Sequence, residues 1–212
     1  MRFTAVALVA LLGLAAAAPV ADPEPQLVPS GEDIRIESIN YAGTGCPAGS
    51  VATSLTDDKT LLTLAFDKYT AQSGPHIQPV ENRKNCQLTL KLKYPHGFQY
   101  SIFTADYRGF AAIKKGSTGT CKSTYYFSGM QQQASLATEF KGPFEDDYLK
   151  HDELDVVSMV WSPCGQQGML NINSQVRVTP IGSDSANLLT VDSTDLKFKN
   201  IFGLKWRKCP GK

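Results

Sequence analysis

Six acids crowd into the eleven residues from Glu145 to Asp155: Glu145, Asp146, Asp147, Asp152, Glu153 and Asp155, with His151 among them. Two carboxylates facing each other across a cleft can hydrolyse a glycosidic bond, one as acid and the other as base or nucleophile. Clustered carboxylate oxygens also suit a hard cation such as calcium. The run lacks the D-x-[DN]-x-[DN]-G order of an EF-hand, and a stretch this charged also reads as a solvated loop. Glu145, Asp146, Asp147, Asp152 and Asp155 therefore stand as a candidate ligand or calcium site. No metal or cofactor is assigned, and no residue is given a catalytic role.

A second stretch, "GTGCPAGS" from Gly43 to Ser50, has the glycines of a phosphate-cradling loop. A P-loop needs a lysine directly after its last glycine and then a helix. Here Ser50 follows Gly49, the next lysine is Lys59, and "SVATSLT" is β-like. The glycines suit a tight bend stiffened by Pro47, with Cys46 tying it to another element. The three histidines are scattered: His76 and His96 fall in turn sequences and His151 in the acidic run. No G-x-S-x-G elbow accompanies them. The many aromatics, Trp161 and Trp206 among them, suit either a sugar-stacking platform or a sheet core, and the core reading is preferred.

Five cysteines remain to be placed: Cys46, Cys86, Cys121, Cys164 and Cys209. No C-x-x-C pair occurs, which argues against a structural zinc site. In an oxidising compartment cysteines pair where geometry allows. Cys86 opens the most regular alternating segment, so Cys46–Cys86 is expected as one bridge. Cys121 and Cys164 flank two further β-like segments and are expected as a second, leaving Cys209 free or paired between molecules.

The elements that must position these residues read as short strands. "CQLTLKLKY" sets Leu88, Leu90, Leu92 and Tyr94 on one face and Gln87, Thr89, Lys91 and Lys93 on the other, the period of a half-buried strand. "LLTLAF" and "QVRV" alternate likewise. Near the C-terminus Leu196, Phe198, Phe202, Leu204 and Trp206 share one parity and Lys197, Lys199, Lys205 and Arg207 the other, with a bulge expected around Asn200 and Ile201. Only "SLATEF", 135–140, suggests a short helix, and it reads equally well as a strand. Frequent turn signals between short strands indicate an all-β fold, an antiparallel β-sandwich or partly open barrel.

The opening "MRFTAVALVALLGLAAAA" has one basic residue, an apolar run and small residues before Pro19: a secretory signal peptide over 1–18. Residues 19–33, rich in proline and acids, read as an extended leader, and 34–212 as one β-rich domain. No later run is apolar for long enough to span a bilayer as a helix. Arg2 apart, acids and bases balance. A neutral chain has no general attraction for nucleic acid, whose binding rests on neutralising phosphates.

The pieces "GTGCPAGS", "NCQLTLKLKYPHGFQY", "DYRGFAAI", "YYFSG", "VWSPCG" and "LNINSQVRV" span about residues 38–180. In combination they resemble the small secreted proteins of filamentous fungi and some bacteria that carry domain of unknown function four-three-six-zero (DUF4360). The resemblance implies a secreted, cysteine-bridged, β-rich domain of a kind often counted among candidate effectors or wall-associated proteins. It implies no activity that any residue here would inherit. The expected function is non-enzymatic binding or cell-surface association, with a cell-wall glycan or a host protein as partner. The alternative is a polysaccharide hydrolase using carboxylates from 145–155.

Overall fold

Alternation in the sequence becomes alternation in space most plainly in the strand Arg83–Lys93, where Cys86, Leu88, Leu90 and Leu92 are buried and the residues between them are half-exposed. Twelve strands are built this way among the described residues of the computed structural model, which are 27–29, 34–164, 168–180, 185–190 and 198–210. Residues 1–18, expected as a signal peptide, and most of the expected leader 19–33 fall outside the described residues. Val28, in the stretch expected as a leader, packs against the core.

In chain order the strands are β1 (Arg35–Ala42), β2 (Val51–Leu55), β3 (Leu61–Phe66), β4 (Thr70–Ser73), β5 (Arg83–Lys93), β6 (Phe98–Ile113), β7 (Thr118–Phe127), β8 (Gln133–Lys141), β9 (Phe144–Glu153), β10 (Met169–Thr179), β11 (Asn187–Thr190) and β12 (Phe198–Lys208). The described helical turns are two short 3-10 segments, Pro79–Asn82 and Val156–Ser158. "SLATEF" lies within β8: Ala134, Leu136, Thr138 and Phe140 point inward and alternate with exposed neighbours, a period no helix shares.

Two antiparallel sheets form a sandwich. One has five strands in the order β1-β5-β10-β7-β8. The other is organised around the long β6. One edge of β6 pairs with β12 and then, further along, with β11, and the opposite edge pairs with β9. β3 and β2 extend this sheet beyond β12, and β4 extends it beyond β11.

β6 changes which parity it buries. Tyr100 and Ile102 face inward, and so do Ala105 and Tyr107. The switch falls at a register shift opposite Gly203 and Leu204, where β6 carries Phe103 as an extra residue. This corrects the bulge expected at Asn200 and Ile201. β12 keeps its alternation, so Asn200 faces the core on the same side as Phe202, Leu204 and Trp206. Leu196 and Lys197 lie outside the described residues.

Between the sheets lies an aromatic interior. Tyr100 meets Phe127 edge-on at 5.2 Å, Tyr94 edge-on at 5.3 Å and Trp206 at 5.3 Å. Edge and tilted contacts of this kind add to the burial of large apolar area. β8 and β9, consecutive in the chain, lie at the edges of different sheets. They are stitched by Thr138 Oγ1 donating to Asp152 Oδ2 at 2.7 Å, and the Tyr107 hydroxyl of β6 donates to the Leu136 carbonyl of β8 at 3.1 Å.

The covalent frame departs in part from expectation. Cys46 and Cys86 are joined, with Cα atoms 5.5 Å apart. Cys164 is joined to Cys209, Cα atoms 5.7 Å apart, and Cys121 is a buried free thiol. The expected Cys121–Cys164 bridge is therefore corrected. Cys121 points inward from the middle of β7, where its cross-strand neighbours are Val176 and Thr138 and not a cysteine.

Candidate functional site

The glycine-rich turn uses its amides internally. Gly45 N donates to Asn85 O at 2.9 Å, Gly49 N to the Tyr41 hydroxyl at 2.9 Å and Ser50 N to Pro47 O at 3.1 Å. Gly43 has φ +154°, and a Cβ there would overlap the Asn85 carbonyl. Close approach to β5 at the Cys46–Cys86 bridge is what demands glycine here, and these three amides are not left to cradle an anion.

The acidic run forms the edge strand β9 rather than a loop. Glu145, Asp147, Leu149, His151 and Glu153 share its outward parity and are exposed, whereas Tyr148 is buried and Asp152 half-buried. Glu145 pairs with Lys114 at 3.1 Å. Asp146 accepts the Asp147 amide at 2.8 Å. Asp152 belongs to the β8–β9 seam. The Asp155 carbonyl closes the following 3-10 turn through Ser158 N at 2.8 Å. His151 Nδ1 lies 2.5 Å from Asp106 Oδ1 across the β6–β9 ladder. Among the described residues no three His, Cys, Asp or Glu side chains come together in a way that could hold a metal ion. His76 and His96 sit in turns on other elements.

A different place gathers chemistry. After β9 the chain keeps to the same edge of β6: Leu154 N donates to Phe103 O at 2.8 Å and Ser162 N to Tyr100 O at 2.8 Å. Two adjoining hollows open along this segment. One, of about 260 Å³, is lined by Gln99, Met130, Gln132, Met159, Val160, Trp161 and Arg207. The other, of about 440 Å³, shares Gln132, Met159 and Val160 and extends past Gln133, Ser135 and Ser158. Together they make an open groove that mixes apolar side chains with amides and hydroxyls, and among the described residues no acid lines it.

Two paired strand positions and one residue of the segment after β9 build its end. Arg207 on β12 stands opposite Gln99 on β6. The Arg207 guanidinium lies 3.9 Å above the Trp161 ring, and its Nε donates to Gln99 Oε1 at 3.2 Å. Gln99 Nε2 donates to Ser162 O at 2.6 Å, which orients the amide. The backbone beneath is pinned by the Tyr94 hydroxyl on Pro163 O at 2.7 Å, by Cys209 N on Gly97 O at 2.8 Å, and by the Cys164–Cys209 bridge itself. That bridge holds the chain just past Trp161 to the chain just past Arg207. Partial burial lowers the pKa of Arg207 from its ordinary value, but an arginine stays charged at any physiological pH.

Trp161 and Arg207 were visible in the sequence only as one aromatic among many and one of several outward basic residues. The signal that could have joined them is the Cys164–Cys209 pairing.

The sequence profile described as "Domain of unknown function (DUF4360)" matches residues 32–209. An "Uncharacterized secreted protein" of Arthroderma benhamiae (strain ATCC MYA-4681 / CBS 112371) is 51% identical over 181 residues, covering 85% of this chain and 74% of its own length. Among solved structures, one of an exo-beta-agarase aligns over 89% of this chain at 11% identity and a TM-score of 0.23. The chain spans 25% of that enzyme's length, and at such a score the likeness carries no argument.

Proposed function

This chain belongs to the DUF4360 family, and from that premise we propose that it is a secreted, non-enzymatic binding module that holds cell-surface or matrix glycan in the groove between the β7–β8 turn and residues 154–161. One observation carries the reading: a half-exposed tryptophan, Trp161, stands in an open groove edged by glutamine amides, on backbone pinned by a disulfide. Sugar rings present flat apolar faces and a rim of hydroxyls. A fixed aromatic ring supports the face at little entropic cost, and amides can donate to and accept from the rim. A rigid frame limits what binding must order. The carboxylates that would serve hydrolysis lie instead on a strand edge, engaged with Lys114, Thr138 and their own backbone.

The test combines a glycan array with a hydrolysis screen on the same preparation. Binding without turnover is expected, weakened roughly tenfold or more by Trp161→Ala, as for a buried aromatic anchor, and unchanged by Asp147→Ala. Hydrolysis abolished by Asp147→Ala or Asp152→Ala would replace this reading with the enzymatic one.

A further inference from the structure

Within the groove, the cation at its end has no anion among the described residues. Lys84, Lys91 and Lys114 each have a carboxylate within ion-pair distance, at 2.8, 3.0 and 3.1 Å. Arg207 forms no ion pair among the described residues. Among the described residues its one hydrogen bond uses Nε, on Gln99. A guanidinium carries five N–H donors, so four remain, all on the two terminal nitrogens. Those nitrogens form the edge that matches a planar carboxylate through two parallel hydrogen bonds.

The plane of that edge is fixed. Trp161 supports one face of the guanidinium, Gln99 holds Nε, and Ser162 holds Gln99. Gln99 is itself buried, so it is not free to turn away. Lys205, exposed on the same outward parity of β12, adds a second cation about 7 Å along the strand. With no acid among the described lining residues, the groove carries positive charge at the end where the tryptophan stands.

We propose that the groove takes an acidic glycan, and that Arg207 is the receptor for the carboxylate of a uronic acid unit. This rests on the glycan-binding reading above and narrows it to a substrate class. The carboxylate would meet the terminal nitrogens end-on, while the rest of the chain runs over the amides and hydroxyls of Gln132, Gln133, Ser135 and Ser158. Fixed donors of this kind discriminate sharply, because a neutral ligand leaves the guanidinium desolvated and unpaired.

The probes are polygalacturonate and the same polymer with its carboxyls methyl-esterified, titrated by calorimetry against the intact oxidised protein. The expected result is binding to the acid polymer that weakens tenfold or more on esterification and falls as salt rises. Arg207→Gln should remove that preference while leaving residual affinity for the ester. Arg207→Lys keeps the charge without the fork and should restore only part of it. A shared melting temperature for the two variants separates loss of binding from loss of fold. Equal affinity for acid and ester, still sensitive to Trp161→Ala, would overturn the uronate assignment and leave the glycan site standing. Binding of neither polymer nor any array glycan would overturn both. Tighter binding of poly-glutamate than of polygalacturonate would replace the sugar with an acidic peptide.

Discussion

Replacing Cys164 and Cys209 together by serine removes the bridge that holds Trp161 beside Arg207. The two cysteines are 45 residues apart in sequence, and loop-closure entropy for that length amounts to about 4 kcal/mol at room temperature. Net stabilities of domains are about 5–15 kcal/mol, so the double variant should fold but unfold at clearly lower urea. Non-covalent ties remain at the same place: Tyr94 to Pro163, Ser162 to Tyr100 and Cys209 N to Gly97. For that reason the strand ends should loosen without unmaking the sandwich, and the urea m-value should rise, because the unlinked denatured chain exposes more surface. The comparison is equilibrium urea unfolding of the parent, Cys164→Ser/Cys209→Ser and Cys121→Ser, all under non-oxidising, non-reducing conditions. Cys121→Ser breaks no bridge and should cost far less than the double variant. The reasoning fails if the double variant is as stable as the parent. It fails equally if a non-reducing peptide map links Cys121 to Cys164.

Two further outcomes follow from the buried titratable groups. Burial pushes the Cys121 thiol up to about 12 from an ordinary value of 9.0, roughly a thousandfold less thiolate at pH 8. A disulfide-exchange reagent should therefore find no reactive thiol in the native protein and one per chain in denaturant, and rapid native labelling would contradict the assignment. Burial also raises the phenols of Tyr94, Tyr100, Tyr107, Tyr125 and Tyr148, along with Cys121. Groups raised on folding stabilise fully below their unfolded pKa values and lose that contribution as pH climbs toward the folded ones. Stability should be flat up to about pH 9 and then fall by about 1.4 kcal/mol per pH unit for each group engaged. Melting temperature against pH and phenolate absorbance would be read together; phenols ionising near pH 10 in a still-native protein would be inconsistent with this interior.

How much of this was legible in the sequence depends on how local each determinant is. The inward row of β5 needs only its own alternation, and Leu88, Leu90 and Leu92 are where period two puts them. The bulge in β6 was hidden because Phe103 is an apolar residue in an apolar neighbourhood, and only pairing against Gly203 and Leu204 reveals the extra residue. The helix-or-strand ambiguity of 135–140 was resolved by tertiary contact: β7 offers a strand edge, and Leu136 and Phe140 fill the space between the sheets. The disulfides divide the same way. Cys46–Cys86 joins a turn to the strand it touches. Cys164–Cys209 joins chain segments on either side of Gly97 and Tyr100, an adjacency that exists only once β6 and β12 have paired. The groove inherits that non-locality, since Arg207, Gln99 and Trp161 come from three separate parts of the chain.

The acidic run shows the opposite error, a loud signal with a quiet cause. β9 pairs with β6 on one side and ends the sheet on the other. An unpaired strand edge is a template for another chain, and charge along it is a common defence. Glu145, Asp147, His151 and Glu153 stand along the outward face of that edge strand, while Tyr148 anchors it to the core. Protecting an edge requires charges that are spread out and solvated; catalysis or calcium binding requires them convergent and partly dry. The observed pairing of Glu145 with Lys114, and the absence among the described residues of any three-ligand cluster, fit the first requirement. Arg207 meets the second kind of condition from the basic side: stacked, oriented, without a counter-ion among the described residues and placed where the lining is amide and apolar. Density of charge along a sequence is therefore a poor guide to a site in a β-sandwich. What distinguishes a site is a charged group whose neighbours hold it still and leave its bonding capacity unused.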